Sequence, residues 1–158
     1  MKSIAYHEAG HVIAAWHMGF DVESTTIEQD VSPLRATKTV SFDDFFDEEQ
    51  LMFGRLKRKS SQSLSRYDYK IFYSILILKM CGPLAVDLAG VEDCTSLSDH
   101  NNEDRAFARN TLRLLKTEAV DQKFTQIERI ANKLLQNRWR EVGSLVDRLL
   151  VEKTVYFS

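Results

Sequence analysis

The chain has 158 residues, enough for a single domain, residues 1–158, with a real hydrophobic core. Its formal net charge of −2 and pI near 6.1 create no field that would draw in a polyanion, so nucleic acid is not an expected partner. Two cysteines, Cys81 and Cys94, are too few for a disulfide framework and form no C-x-x-C pair, which points to a reduced, cytoplasmic setting.

The first predicted element is a helix over Ile4 to Trp16, with Ser3 as its N-cap and Gly19 as its C-terminal stop. Inside it stands His7-Glu8-Ala9-Gly10-His11. Two imidazoles four residues apart lie on one helix face, about one turn apart, and can share one tetrahedral zinc through ring nitrogens. Glu8 can reach a water on that metal without binding the metal itself. This is the arrangement of a zinc hydrolase, in which the metal lowers the water's pKa and the glutamate accepts its proton. The bland alternative, two histidines and a glutamate idle on a helix, conflicts with the flanking Ile4, Ala5, Val12, Ile13, Ala14, Ala15 and Trp16, which imply burial. A glycine at position 10 costs about 1 kcal/mol relative to alanine within a helix, so close backbone packing behind the metal is its expected return.

Next, Val22 to Glu28 and Ala36 to Phe42 carry β-branched residues with partial alternation, separated by turn residues at Asp30 to Pro33. They predict a small β-ribbon or sheet edge. Asp43 to Glu49 is acidic with two phenylalanines, and the stretch up to Arg66 reads as a loop excursion that includes the Ser-rich residues 60–65. The basic run Lys57-Arg58-Lys59 within it reads as solvated loop rather than as a phosphate site.

From Tyr67 the pattern is helical, with Ile71, Ile75, Leu78 and Leu84 to Leu88 as its apolar positions and a kink or break at Gly82-Pro83. Lys79, Gly82, Pro83 and Asp87 interrupt the run from Ile71 to Ala89, so it predicts a buried helix rather than a membrane span. A third helix is expected to begin near Asn101 or Asn102 and to pass Leu115. Two more follow, one carrying Phe124, Ile127, Ile130, Leu134 and Leu135, the other Trp139, Val142, Leu145, Val146, Leu149 and Leu150. The fold class is therefore mainly α, or α+β, with a small ribbon.

A catalytic zinc needs a third protein ligand. His17 completes a longer, metzincin-type pattern, but Ala14 stands where that pattern has the glycine that ends the helix. If the helix continues, His17 is rotated about 80° from His7 and lies ~9 Å beyond His11, out of reach. Better candidates lie in Ser98-Asp99-His100-Asn101-Asn102-Glu103-Asp104. Phasing through Phe107, Ala108, Leu112 and Leu115 puts Asp104 near the middle of an apolar face, where a carboxylate needs a compensating cation. Asp99 lies on the opposite side or in the loop. Asn101 with Asp104 also reads as a capping box. Asp104 is favoured over Asp99, and Cys94 fits poorly among such hard ligands.

Ala5-Tyr6-His7-Glu8-Ala9-Gly10-His11 with Gly19 resembles the start of the peptidase domain of FtsH-type ATP-dependent zinc proteases. Cys81-Gly82-Pro83-Leu84-Ala85-Val86-Asp87-Leu88-Ala89-Gly90 loosely resembles that family's Gly-Gly-Arg-Ala-Ala-Glu-Glu segment. The helix from Asp104 through Ala108 and Arg113 is similar to its Asp-Leu-x-x-Ala-x-x-x-Ala-Arg. The similarity reaches Leu134 to Trp139 and Leu149-Leu150, so it covers most of the chain, although only the first motif is highly specific. The resemblance implies a zincin-like helical domain and a zinc metallopeptidase with Glu8 as base. It also implies an aspartate as third zinc ligand, for which helix matching selects Asp104 and loop length selects Asp99. Val86 or Asp87 stands where the family has its first glutamate, so the support around the metal differs. No nucleotide-binding motif accompanies the peptidase-like residues, which predicts a lone peptidase module. Its expected substrates are peptides or unfolded proteins, with a homo-oligomer or a partner ATPase as expected associates. The rival expectations are a non-catalytic module of the same fold, used for binding or regulation, and a metzincin-type hydrolase using His17.

Overall fold

The computed structural model describes residues 1–28, 37–39, 65–92, 95–115 and 118–157, for backbone only at 37–39, 67–68 and 95–100. The turn at Asp30 to Pro33, the acidic segment after Asp43, the basic run Lys57–Lys59, residues 60–64 and Cys94 lie outside the described residues. In chain order the elements are α1 (Lys2–His17), β1 (Val22–Thr26), β2 (Thr37–Thr39), α2 (Arg66–Ala89), α3 (Thr95–Leu114), α4 (Val120–Asn137), α5 (Trp139–Glu152) and β3 (Thr154–Tyr156). The mainly helical class with a small antiparallel sheet is as the sequence predicts.

Helix α1 is the axis of the molecule. Ala5, Ala9, Val12, Ile13 and Ala14 are fully buried, and they do not fall on one stripe, so the helix needs cover on several sides. It packs against α2, α4, α5 and the sheet. Small residues allow the closest of these contacts. A Cβ at Gly10 would run into the Cys81 carbonyl and lie 2.9 Å from the Ala85 Cβ, so only glycine admits the observed approach of α1 to α2. On another side Tyr6 stacks on Trp139 of α5, with ring centroids 5.7 Å apart.

One predicted end of α1 differs in the structure and the other holds. Ser3 is not the N-cap: the Met1 carbonyl already accepts the Ala5 N–H at 3.0 Å, so the helix starts at Lys2 and Ser3 is buried in its first turn. Gly19 is the stop. Its φ of 80° lets the Phe20 N–H reach the Ala15 carbonyl and its own N–H reach that of Trp16, both within 3.1 Å, a Schellman ending.

The expected break at Gly82-Pro83 is absent, because α2 continues through Pro83 to Ala89. Proline supplies no N–H to the Lys79 carbonyl. Packing on both sides of the proline outweighs that loss: Cys81 before it and Ala85 after it lie against Gly10 of α1, and Leu76, Met80 and Val86 are buried as well. Part of this helix, Tyr69–Ala89, is long and apolar enough to cross a membrane, with a mean hydropathy of 1.7, yet more than half of its most apolar stretch is buried inside the fold. Helix α3 begins at Thr95, two turns before the predicted start, and this carries Asn101 from a cap position into the helix interior.

The sheet has the order β2-β1-β3, all antiparallel. The ribbon of β1 and β2 follows the prediction, with a bulge between Val22 and Ser24. The third strand was not foreseen. Lys153, at φ 64°, turns the chain back after α5, and Thr154–Tyr156 pairs with Ser24, Thr25 and Thr26. A hydroxyl pair between Thr26 and Thr154 at 2.8 Å and the burial of Val155 seat it there.

Candidate metal centre

Three helices bring the site together. Helix α1 presents His7, Glu8 and His11, all buried, and its two imidazoles reach Leu78 of α2 and Asn101 and Asp104 of α3. On α3, Asn101, Asp104, Ala108, Thr111 and Leu112 are the buried positions, an i, i+3, i+7 pattern that directs Asn101 and Asp104 to the same side. Helix α2 forms the floor. A Cβ at Gly82 would lie 2.5 Å from His11 Nε2 and 2.9 Å from His7 Cε1, so the missing side chain at 82 is the space the two rings occupy.

The ring orientations follow from their outer nitrogens. His7 Nδ1–H donates to Asn101 Oδ1 at 2.8 Å, and His11 Nδ1–H donates to the Leu78 carbonyl at 3.0 Å. Both partners only accept, so each neutral imidazole carries its lone pair on Nε2. The two Nε2 atoms lie 3.0 Å apart. Asp104 Oδ2 lies 3.5 Å from the first and 3.3 Å from the second. Three acceptor atoms thus converge with no donor of their own between them, and a proton or a cation must bind them together.

The dimensions suit a metal. Two ligand atoms, each about 2.0–2.1 Å from a small tetrahedral ion, stand roughly 3.3–3.4 Å apart. The observed edges of 3.0, 3.3 and 3.5 Å bracket that value. His7, His11 and Asp104 can therefore hold one metal ion. Among the described residues this is the group of metal-binding side chains that converges.

Electrostatics favour the same outcome. Burial, helped by the neighbouring His11, lowers the pKa of His7 to about 3, so this ring is neutral at physiological pH. Burial also acts to lower His11, but the hydrogen bond and charge of Asp104, with the charge of Glu8, outweigh it and raise its pKa. Asp104 is held below the usual carboxylate range: burial pushes it up, and the hydrogen bond from His11 with the Lys79 ammonium more than reverses this. In the metal-free site one proton on His11 therefore links the cluster, and a metal must displace it. Metal affinity should fall as pH falls through the raised His11 value, by about tenfold per unit at the acid end. Calorimetric titrations at pH 5.5 and 7.5, each in two buffers of different ionisation enthalpy, should find weaker binding at the lower pH and protons released as the metal binds.

Of the residues singled out in the sequence, His7, His11 and Asp104 are brought together, and Glu8 is buried near enough for its charge to act on His11. Asp99 lies five residues earlier on α3, about 140° round the helix from Asp104, and its side chain is outside the described residues. His17 stays apart. Helix α1 does not break at Ala14, and His17 is exposed in its last turn.

Two contributors escaped the sequence reading. The sequence places Asn101 at a helix cap and Lys79 as an interruption in an apolar run. Asn101 fixes the tautomer of His7, so Asn101→Leu should weaken metal affinity roughly 10–100-fold while the fold persists, as competition against a chelating dye would measure. Lys79 forms an ion pair with Asp104 Oδ1 at 3.3 Å. Comparison with protein-family models and with curated proteins found no match for this chain. The geometry thus defines a buried group of two histidines and one carboxylate, in a mainly helical fold, that could hold a metal ion.

Proposed function

We propose that the chain is a zinc-dependent peptidase resembling the peptidase domain of FtsH-type proteases, with His7, His11 and Asp104 as zinc ligands and Glu8 as general base. The observation that carries this reading is the convergence of three lone-pair atoms in a buried site, with a carboxylate one residue after the first of them. Two imidazoles with a single carboxylate oxygen suit zinc better than magnesium or calcium, which favour more oxygen ligands. Zinc bound there would lower the pKa of a water to around 7 and polarise a carbonyl group.

The protein's own groups account for the rest. Glu8 accepts the water's proton and passes it to the leaving amine as the C–N bond breaks. Asn101 and the Leu78 carbonyl keep the rings from turning, so both Nε2 atoms stay directed at the centre. Among the described residues β2 is an edge strand, and it offers main-chain groups to which an extended peptide can add. Peptides and unfolded segments are the proposed substrates, and folded ones would need a partner ATPase to pull on them.

Burial of all four site residues favours a second reading, a structural metal in a non-catalytic module of similar fold. Cleavage separates the two. Zinc-loaded protein should hydrolyse an unstructured fluorogenic peptide, lose that activity with chelator, and regain it with added zinc. A metal-loaded protein that leaves every peptide in a diverse library intact would favour the structural reading.

A further inference from the structure

We propose that Lys79 is a positioning residue that confines Asp104 to a single ligand oxygen, and so makes the centre selective for ions that prefer four ligands. The proposal rests on the reading that His7, His11 and Asp104 hold a metal. Its starting point is the division of labour within one carboxylate. Asp104 Oδ2 faces both imidazoles, at 3.5 and 3.3 Å, whereas Oδ1 faces the Lys79 ammonium at 3.3 Å.

That ammonium is not a loose surface charge. The Lys79 side chain is only 17% exposed, and its nitrogen also lies 5.7 Å from the centroid of the Phe107 ring. Phe107 sits three residues after Asp104, nearly one turn further along α3. Lys79 extends from α2 and is held by two groups on α3, so its position is set by the packing of the two helices. For Asp104 to offer both oxygens to an ion, the carboxylate would have to turn away from Lys79. A largely buried ammonium would then lose its counter-charge, which costs far more than breaking an exposed pair.

Coordination number follows from this restraint. Calcium takes six to eight oxygens and often two from one carboxylate, and manganese also favours oxygen-rich, six-ligand sites. Zinc and cobalt are satisfied by one atom from each of three side chains and one further ligand. The positive charge of Lys79 also repels any dication, but it repels all of them alike. That term cancels in the ratio of two affinities, whereas the restraint on Asp104 does not. Selectivity, rather than affinity, is therefore the quantity that reports on Lys79.

The test uses the full chain, stripped of metal and titrated separately with zinc, manganese and cobalt(II). The parent protein should show the intense visible absorption of four-coordinate cobalt and prefer zinc strongly over manganese. In Lys79→Met, a long side chain with good helix propensity, the cobalt bands should weaken towards those of a higher coordination number. Its zinc-to-manganese affinity ratio should shrink roughly tenfold or more. Lys79→Arg keeps a cationic donor and should retain the parental spectrum and ratio. Lys79→Gln, also neutral, provides the same comparison if the methionine variant misfolds by circular dichroism. A neutral variant that is folded and matches the parent in both spectrum and ratio overturns the proposal and leaves the metal centre standing. A parent protein that takes up neither zinc nor cobalt sinks the metal centre itself.

Discussion

Glu8→Gln is expected to keep its zinc and lose peptide cleavage by roughly 100- to 10,000-fold, the range associated with removing a general base. Glutamine has the same shape as glutamate but cannot accept the proton. The ligands His7, His11 and Asp104 are untouched, and so are the bonds from Asn101 and Leu78 that orient the rings. Two side effects on metal affinity oppose one another. Losing the Glu8 charge lowers the hold of His11 on its proton, which favours the metal, and also removes one negative charge near a cation, which disfavours it. Metal content per chain should therefore stay near the parental value while kcat/KM falls. A variant that cleaves peptides at the parental rate would place the base elsewhere.

The second large effect is expected from a single added methyl group. Gly82→Ala would normally strengthen a helix, by about 1 kcal/mol. Here the new Cβ would occupy the space of the imidazoles, 2.5 Å from His11 Nε2 and 2.9 Å from His7 Cε1. The rings are the outer ends of rotatable side chains, so they can swing aside and the fold can survive, with an overpacking cost of about 1–3 kcal/mol. Swinging aside separates the two nitrogens and breaks the His11 bond to the Leu78 carbonyl. The variant should remain helical by circular dichroism yet lose metal affinity by roughly 100-fold or more, beyond the usual effect of changing a supporting residue. Parental zinc affinity in a folded Gly82→Ala protein would show that the rings do not use that space.

What the sequence revealed depended on how local each signal was. His7, Glu8 and His11 were readable because a four-residue spacing and a helix period coincide within five residues. Asp104 was readable because the apolar phase of its own helix carried it onto the buried face. Asn101 was not legible as part of the site because the sequence puts the start of α3 near Asn101 or Asn102, and the true start lies two turns earlier at Thr95. Its role depends on His7, 94 residues away in sequence, and no local pattern encodes that contact. Lys79 was hidden for the same reason, since a charge in an apolar run looks like an interruption until a partner on another helix is known. Strand β3 has only three residues, and its place is set by pairing with β1 rather than by any periodicity of its own. The break expected at Pro83 failed in the other direction, because the packing of α2 on α1 overrode a strong local signal.

The most direct test is elemental analysis of the purified protein after zinc loading and removal of unbound metal, on the parent, Asp104→Ala and Asp99→Ala. The account predicts about one zinc per chain in the parent and in Asp99→Ala, and a loss of most of it in Asp104→Ala. A parent that emerges without metal, or an Asp104→Ala protein that holds a full equivalent, would contradict it.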